Sequence, residues 1–277
     1  MGEARERNKN IYRIDWEEFK EYLSKRPNFL EDDIELWKKK NFFMQFDDAV
    51  KHCLAFLEVK GHAVSPFYRG TGINEEIAKD NYSRMIPSPK HSALNRMSPA
   101  GIPYLYVTPN MKNDKALQLN TIVSELRADP EDYFTICSFH TNGPLKLVSL
   151  VGDPNLQVEE KELGNILLEQ LAGRGKKERI EQAKKLLIQL YFSFFNEDNI
   201  FKPIPRGTTD EDKDIEYRPF QAIAKYFEWL GYDGLIYKST VYEGGINAVI
   251  FNAKKVVLNK DSLKKYIVPQ TQNIHFI

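Results

Sequence analysis

The chain has 277 residues, with 39 Lys and Arg against 39 Asp and Glu, so its formal net charge is zero. That balance argues against a general nucleic-acid binder, whose domain carries a basic excess, while leaving room for a local basic pocket. With 42% hydrophobic and 12% aromatic residues it can bury the core of one large domain or two modest ones.

The first stretch, to about Lys60, reads as helical. IDWEEFKEYL places Trp16, Phe19 and Leu23 on one face, with Asp15 expected as its N-cap and Glu18 three residues on. EDDIELWKKK puts acids first and lysines last, which suits a helix dipole. From about Met44 to Glu58, Phe46, Ala49, Val50, Cys53, Leu54 and Leu57 recur at helical spacing. After Gly61 the texture changes. PFYRGTG, RMIPSPK and RMSPAGIP are rich in turn formers, and between the turns lie the strand-like runs IPYLYVT, DYFTICSF and LKLVSLV. LQLNTIVSEL is a short helical run ending at Glu125. The segment from about Val158 to Phe195 is helical again, and Asn196 to Glu216 reads as a loop. YRPFQAIAKYFEWLGYDGLIYKSTVYEGGINAVIF then gives helix, turn, strand, loop and strand, with Gly231 closing the helix near Leu230. The pattern is α+β, not a regular βαβ repeat. It divides into an N-terminal helical segment, 1–60, and a main domain, 61–277, with a helical insert at about 158–214.

Several chemistries are absent from the sequence. It has no GxGxxG after a strand, no GxxxxGK[ST], no HExxH and no GxSxG. The five histidines, His52, His62, His91, His140 and His275, lack ligand spacing, so no metal is expected. The two cysteines, Cys53 and Cys137, make neither a disulfide framework nor a zinc site, and they point to a reducing, cytoplasmic compartment. No apolar run reaches the roughly 18–20 residues of a membrane span. The N-terminus has charges without an apolar stretch behind them, unlike a signal peptide. What remains is a set of polar residues at element ends, where sites tend to be built. They are Arg69 after SPFY, Arg96 before the strand carrying Tyr104 and Tyr106, Glu125 in VSELR, Ser239 closing DGLIYKS, and Asn247 opening the next strand after Gly244-Gly245.

Taken in order, YRG, NRMSPAGIPYLYV, SELR, GYDGLIYKS and GGINAVIF resemble the RES-domain family, over about Phe67 to Phe251. The resemblance implies a compact ADP-ribosyltransferase-like fold with flanking helices. It implies NAD as substrate rather than cofactor, cleaved at the nicotinamide ribose by hydrolysis or phosphorolysis. It further implies a toxin or defence effector whose partner is a helix-turn-helix antitoxin. Carried over residue by residue, Arg69 and Arg96 match the family's two arginines, Tyr106 its strand tyrosine, Glu125 its glutamate, Ser239 its serine and Asn247 the asparagine of the last strand. The implied catalytic set is Glu125, Arg69 and Ser239. The implied NAD-binding set is Arg69, Arg96, Tyr106, Ser239 and Asn247. Two positions depart from the pattern: Gly70 stands where a tyrosine often follows the first arginine, and Ser149 where an aspartate is common.

The chemistry agrees with the residue types. A pyrophosphate suits the planar fork of arginine. Breaking the N-glycosidic bond builds an oxocarbenium-like ribose that a carboxylate steadies. The same site also suits an ADP-ribosyltransferase with a protein acceptor, or an inactive binding module. The additional helices are candidates for a lid or a homo-oligomer surface, and ordinary core packing accounts for them equally well.

Overall fold

The computed structural model describes residues 14–73, 82–111, 113–151 and 202–268. The chain divides into two compact units, one formed by 1–58 with 149–202, the other by 59–148 with 203–277. The predicted helical run from Val158 to Phe195 lies outside the described residues.

In the first unit, helix α1 spans 14–24, α2 spans Ile34–Trp37 and α3 spans Asn41–Leu57. As the spacing predicts, Trp16, Phe19 and Leu23 are buried. Asp15 is not the N-cap, because Ile14 is already helical; the Asp15 carboxylate instead accepts from Gln45 Nε2 at 3.1 Å. Helix α3 begins at Asn41, earlier than the expected Met44, and this brings Phe42 and Phe43 into the buried face. Trp16 meets Phe42 edge-on at 4.9 Å, and Trp37 meets Phe43 edge-on at 5.4 Å. Edge-to-face aromatic pairs of this kind add to burial and specify one packing.

The strands are β1 (Glu58–Lys60), β2 (Phe67–Ile73), β3 (Leu105–Val107), β4 (Tyr133–Thr141), β5 (Lys146–Ser149), β6 (Gly234–Lys238), β7 (Ile246–Ile250) and β8 (Val256–Ile267), all in the second unit but for the terminal residues Glu58 and Ser149. Helices α4 (Tyr82–Met85), α5 (Lys115–Leu126) and α6 (Asp210–Trp229) accompany them. Five strands form one sheet in the order β1-β5-β6-β7-β3, and three form another in the order β2-β4-β8. The architecture is therefore α+β. The sheets meet at an isolated antiparallel bridge, in which Tyr68 N donates to Thr108 O at 2.8 Å and Thr108 N to Tyr68 O at 2.7 Å. Arg69 is the next residue.

Helix α5 is capped by Asp114, whose side chain accepts from Leu117 N, and it ends where Arg127 turns to φ 50°. Its buried Leu119 and Ile122 pack with Phe134 and Ile136 of β4. The approach to β2 is close: a Cβ on Gly70 would fall 2.3 Å from Ile122 Cγ2. Gly70 thus lets the helix carrying Glu125 lie directly on the strand carrying Arg69.

Helix α6 starts at Asp210, inside the stretch expected to be a loop. The acidic DEDKD is its first turns rather than part of a connection. Thr209 caps it, accepting from Asp212 N at 3.1 Å and donating to Asp212 Oδ2 at 2.7 Å. Acids in a first turn complement the exposed N–H groups there. The C-terminus is as expected: Gly231 has φ 83°, its N–H reaches Glu228 O, and Tyr232 N reaches Phe227 O, each at 3.0 Å. That double return is a Schellman motif.

Candidate active site

One face of the five-stranded sheet carries the site. Residues directly opposite in antiparallel strands share a face, as do residues two apart. Tyr106 of β3 pairs with Val249 of β7, and Tyr237 of β6 pairs with Asn247 of β7. Tyr106, Tyr237 and Asn247 therefore look out from one surface. They line a cavity of about 880 Å³ together with Arg69, Glu125 and Tyr104.

Glu125 projects from the last turn of α5. Its Oε1 accepts from Ser239 Oγ at 2.7 Å and from Asn247 Nδ2 at 2.5 Å. Its Oε2 takes no hydrogen bond from the described residues. The carboxylate is thus held through Oε1, and Glu125 lines the cavity. Ser239 is itself fixed. Its Oγ accepts from Val241 N at 3.2 Å and from Tyr242 N at 3.1 Å, which commits its proton to Glu125. The 239–245 loop is tied back to α5 where Asn120 Nδ2 donates to the Tyr242 hydroxyl at 2.9 Å. Gly245 makes this seating possible, since a Cβ there would lie 2.7 Å from Thr121 Oγ1 and 3.0 Å from Ser239 Cβ.

Arg69 lines the same cavity. Its Nη1 donates to Tyr106 O at 3.3 Å, and its buried Nε has no partner among the described residues. No carboxylate among the described residues pairs with it. Burial pulls its pKa below the ordinary arginine value, opposed by Cys137 and Tyr106, yet a guanidinium stays protonated in a protein. A buried cation with an orphaned donor is costly unless an anion completes it.

Arg96 and Ser239 are not among the cavity-lining residues. Arg96 lies over the rings of Tyr217 and Phe220, at 5.5 and 5.0 Å, and donates to Thr240 Oγ1 at 3.4 Å. Burial lowers its pKa, while Tyr217, Tyr237 and Glu125 work the other way. Tyr106 reaches back to the same turn. Its hydroxyl accepts from Met97 N at 3.2 Å and lies 2.9 Å from Ser98 Oγ. Burial raises the pKa values of Tyr106 and Tyr237, so both rings face the cavity uncharged.

Of the six expected positions, Arg69, Tyr106, Glu125 and Asn247 line the cavity, Ser239 bonds Glu125, and Arg96 bonds Thr240 next to Ser239. The sequence reading did not include Tyr104, Tyr237, Arg84 or His91 among the site residues, and all four line the cavity. For Tyr237 the signal is the β6–β7 pairing, which sequence alone does not show. Arg84 lies in the one-turn helix α4 and His91 in the turn-rich stretch after it, and nothing local marks either. Among the described residues no three of His, Cys, Asp and Glu gather as metal ligands, and no helix is long and apolar enough to cross a membrane.

No family model matches the chain, and no curated protein matches it. Among solved structures, the chain is similar to one in the crystal structure of the M. tuberculosis MbcT-MbcA toxin-antitoxin complex. The TM-score is 0.37 and the identity 11%, over 80% of this chain and 92% of that one. A likeness of that size by itself decides neither fold family nor activity.

Proposed function

We propose that the chain consumes NAD by breaking the bond between nicotinamide and ribose, on an ADP-ribosyltransferase-like fold of the RES type. The observation that carries this reading is the Glu125 carboxylate, anchored through Oε1 by Ser239 and Asn247, on a residue that lines the same cavity as Arg69. In the reaction the C1′–N bond breaks, its electron pair leaves with nicotinamide, and the ribose gathers positive charge. Glu125 Oε2 steadies that charge and orients the 2′-hydroxyl. A preorganised charge in a protected site is the largest catalytic effect available here. Nicotinamide departs as a neutral amide and needs no strong general acid. Water or phosphate then bonds to C1′.

Arg69 holds the pyrophosphate with the N–H groups that the protein leaves unused. Tyr106 and Tyr237 offer neutral ring faces to the nicotinamide cation. Ser239 and Asn247 act by aiming the carboxylate, and Arg96 by supporting the wall behind it. The toxin or effector role and a helix-turn-helix antitoxin partner rest on the sequence motifs, and the cytoplasmic setting rests on the two isolated cysteines. Transfer to a protein side chain is the second reading, since it uses the same site with a different acceptor.

Glu125→Gln keeps the size and the Oε1 contacts, and it is expected to lower NAD turnover by about 10²-fold or more with NAD still bound. NAD quantified after incubation, and after induction in cells, checks this. Full consumption by Glu125→Gln refutes the mechanism. With labelled NAD, free ADP-ribose or ADP-ribose 1-phosphate supports the first reading, and labelled protein the second.

A further inference from the structure

The loop from Ser239 to Gly245 runs across one face of α5. Leu117, Thr121 and Glu125 follow at four-residue steps and so share that face. The loop meets each of them. A Cβ on Gly244 would lie 3.8 Å from Leu117 Cδ1, a Cβ on Gly245 would fall 2.7 Å from Thr121 Oγ1, and Ser239 Oγ donates to Glu125 Oε1 at 2.7 Å. The loop also closes on itself, with Ser239 N donating to Gly245 O at 2.8 Å and Gly245 N to Tyr242 O at 3.1 Å.

Two side-chain bonds tie its middle to other elements. Arg96 Nη2 donates to Thr240 Oγ1 at 3.4 Å, which is long for a hydrogen bond. Asn120 Nδ2 donates to the Tyr242 hydroxyl at 2.9 Å, an ordinary length. Asn120 and Tyr242 are both only partly buried, and neither lines the cavity. Their bond therefore neither fills the core nor meets a ligand in the cavity. Its place in the hydrogen-bond chain is what sets it apart. Tyr242, latched through its hydroxyl, gives its backbone N–H to Ser239 Oγ at 3.1 Å, and Ser239 gives its proton to Glu125. Helix α5 supplies both ends of this circuit, Asn120 and Glu125.

We propose that Tyr242, latched by Asn120, is a positioning residue for turnover, acting through Ser239 on the Glu125 carboxylate. This deepens the NAD reading and rests on it for the reaction served. A serine hydroxyl has one proton and turns to suit its partners. While the amides of Val241 and Tyr242 occupy its acceptor side, that proton is committed to Glu125. With the latch gone the loop lifts, the hydroxyl turns freely, and Asn247 alone holds Oε1. A carboxylate less firmly aimed stabilises the transition state less, and substrate binding is little changed, so the loss falls on kcat.

Tyr242→Phe keeps the ring and removes the hydroxyl, and Asn120→Ala removes the donor. Each is expected to lower kcat for nicotinamide release from NAD about fivefold, the scale of one hydrogen bond, with KM within about twofold of wild type. The double variant is expected to be no slower than the slower single one, because both substitutions delete the same bond. Amide hydrogen exchange at residues 241 and 242 should quicken in all three variants, with melting temperatures close to that of wild type. An unaltered kcat, an additive double variant, or exchange as slow as in wild type overturns the proposal. The exchange measurement needs no NAD, so the two readings fail separately. A wild type that consumes NAD beside variants that match it removes the latch alone. A wild type that consumes no NAD, beside variants with quickened exchange, removes the cleavage reading and leaves the latch as the hold on Ser239.

Discussion

Arg69 and Arg96 stand in two different kinds of wall. Arg69 sits at the seam between the sheets, with one donor on a backbone carbonyl and a buried Nε that nothing described satisfies. Arg96 is laid over Tyr217 and Phe220 of α6 and touches Thr240. Burial disfavours the charge of both. Only Arg96 has ring faces to offset that cost, a compensation that cation–π contact supplies within about 6 Å. On the proposed reading, the difference separates a cation that receives an external anion from one that also braces the protein.

The strongest way to break this distinction is to delete each charge. Arg69→Ala is expected to weaken NAD binding by about 10²-fold, because charge-assisted hydrogen bonds contribute roughly 1.5–3 kcal/mol each. Calorimetric titration of NAD checks it, and an unchanged affinity removes Arg69 from the binding site.

Gly70→Ala tests the contact that brings Arg69 and Glu125 together. The new methyl collides with Ile122 Cγ2, and overpacking of this sort costs about 1–3 kcal/mol. Denaturant unfolding should show the loss, with turnover falling as α5 lifts from β2. A variant as stable as wild type shows that α5 can shift without cost.

Arg96→Met retains the apolar stem over the rings and removes the charge. A stability loss of about 1 kcal/mol is expected, with NAD affinity within about twofold of wild type. An affinity loss as large as that of Arg69→Ala erases the distinction.

The smallest effect concerns Cys137, which lies opposite Arg69 in the β2–β4 register. Burial pushes its thiol up to about 12 from an ordinary value of 9.0, and Arg69 pulls it down. The unfolded chain therefore ionises first. The stabilising contribution is complete below about pH 9 and fades as pH rises towards 12. Cys137→Ala should flatten this alkaline decline in unfolding free energy, and an unaltered decline assigns it to other groups.

Legibility in the sequence varied with the kind of structure. Helix α5 and strands β3, β4, β6 and β7 are visible because periodic burial leaves a periodic pattern. Strand β8 carries no such pattern. It is the edge of its sheet, only partly buried, and its middle, LNKDSLKK, reads as polar; the register shift opposite Ile136 and Ser138 further interrupts alternation. Helix α6 was expected to begin later because its acidic first turns resemble a solvated loop. Glu125, Asn247 and Ser239 are legible individually, as polar residues at element ends. That Ser239 spends its proton on Glu125, and that Arg96 bonds Thr240, follow from pairings more than a hundred residues apart in sequence.

By itself, then, the order of amino acids determined which segments become helices and strands, and which polar residues stand at their ends, since both depend on neighbours a few positions away. Only the packed structure decided which oxygen of Glu125 takes the hydrogen bonds and which arginine lines the cavity. Those outcomes depend on strands pairing across long loops and on Gly70 and Gly245 admitting close contact, and no local pattern encodes such distances.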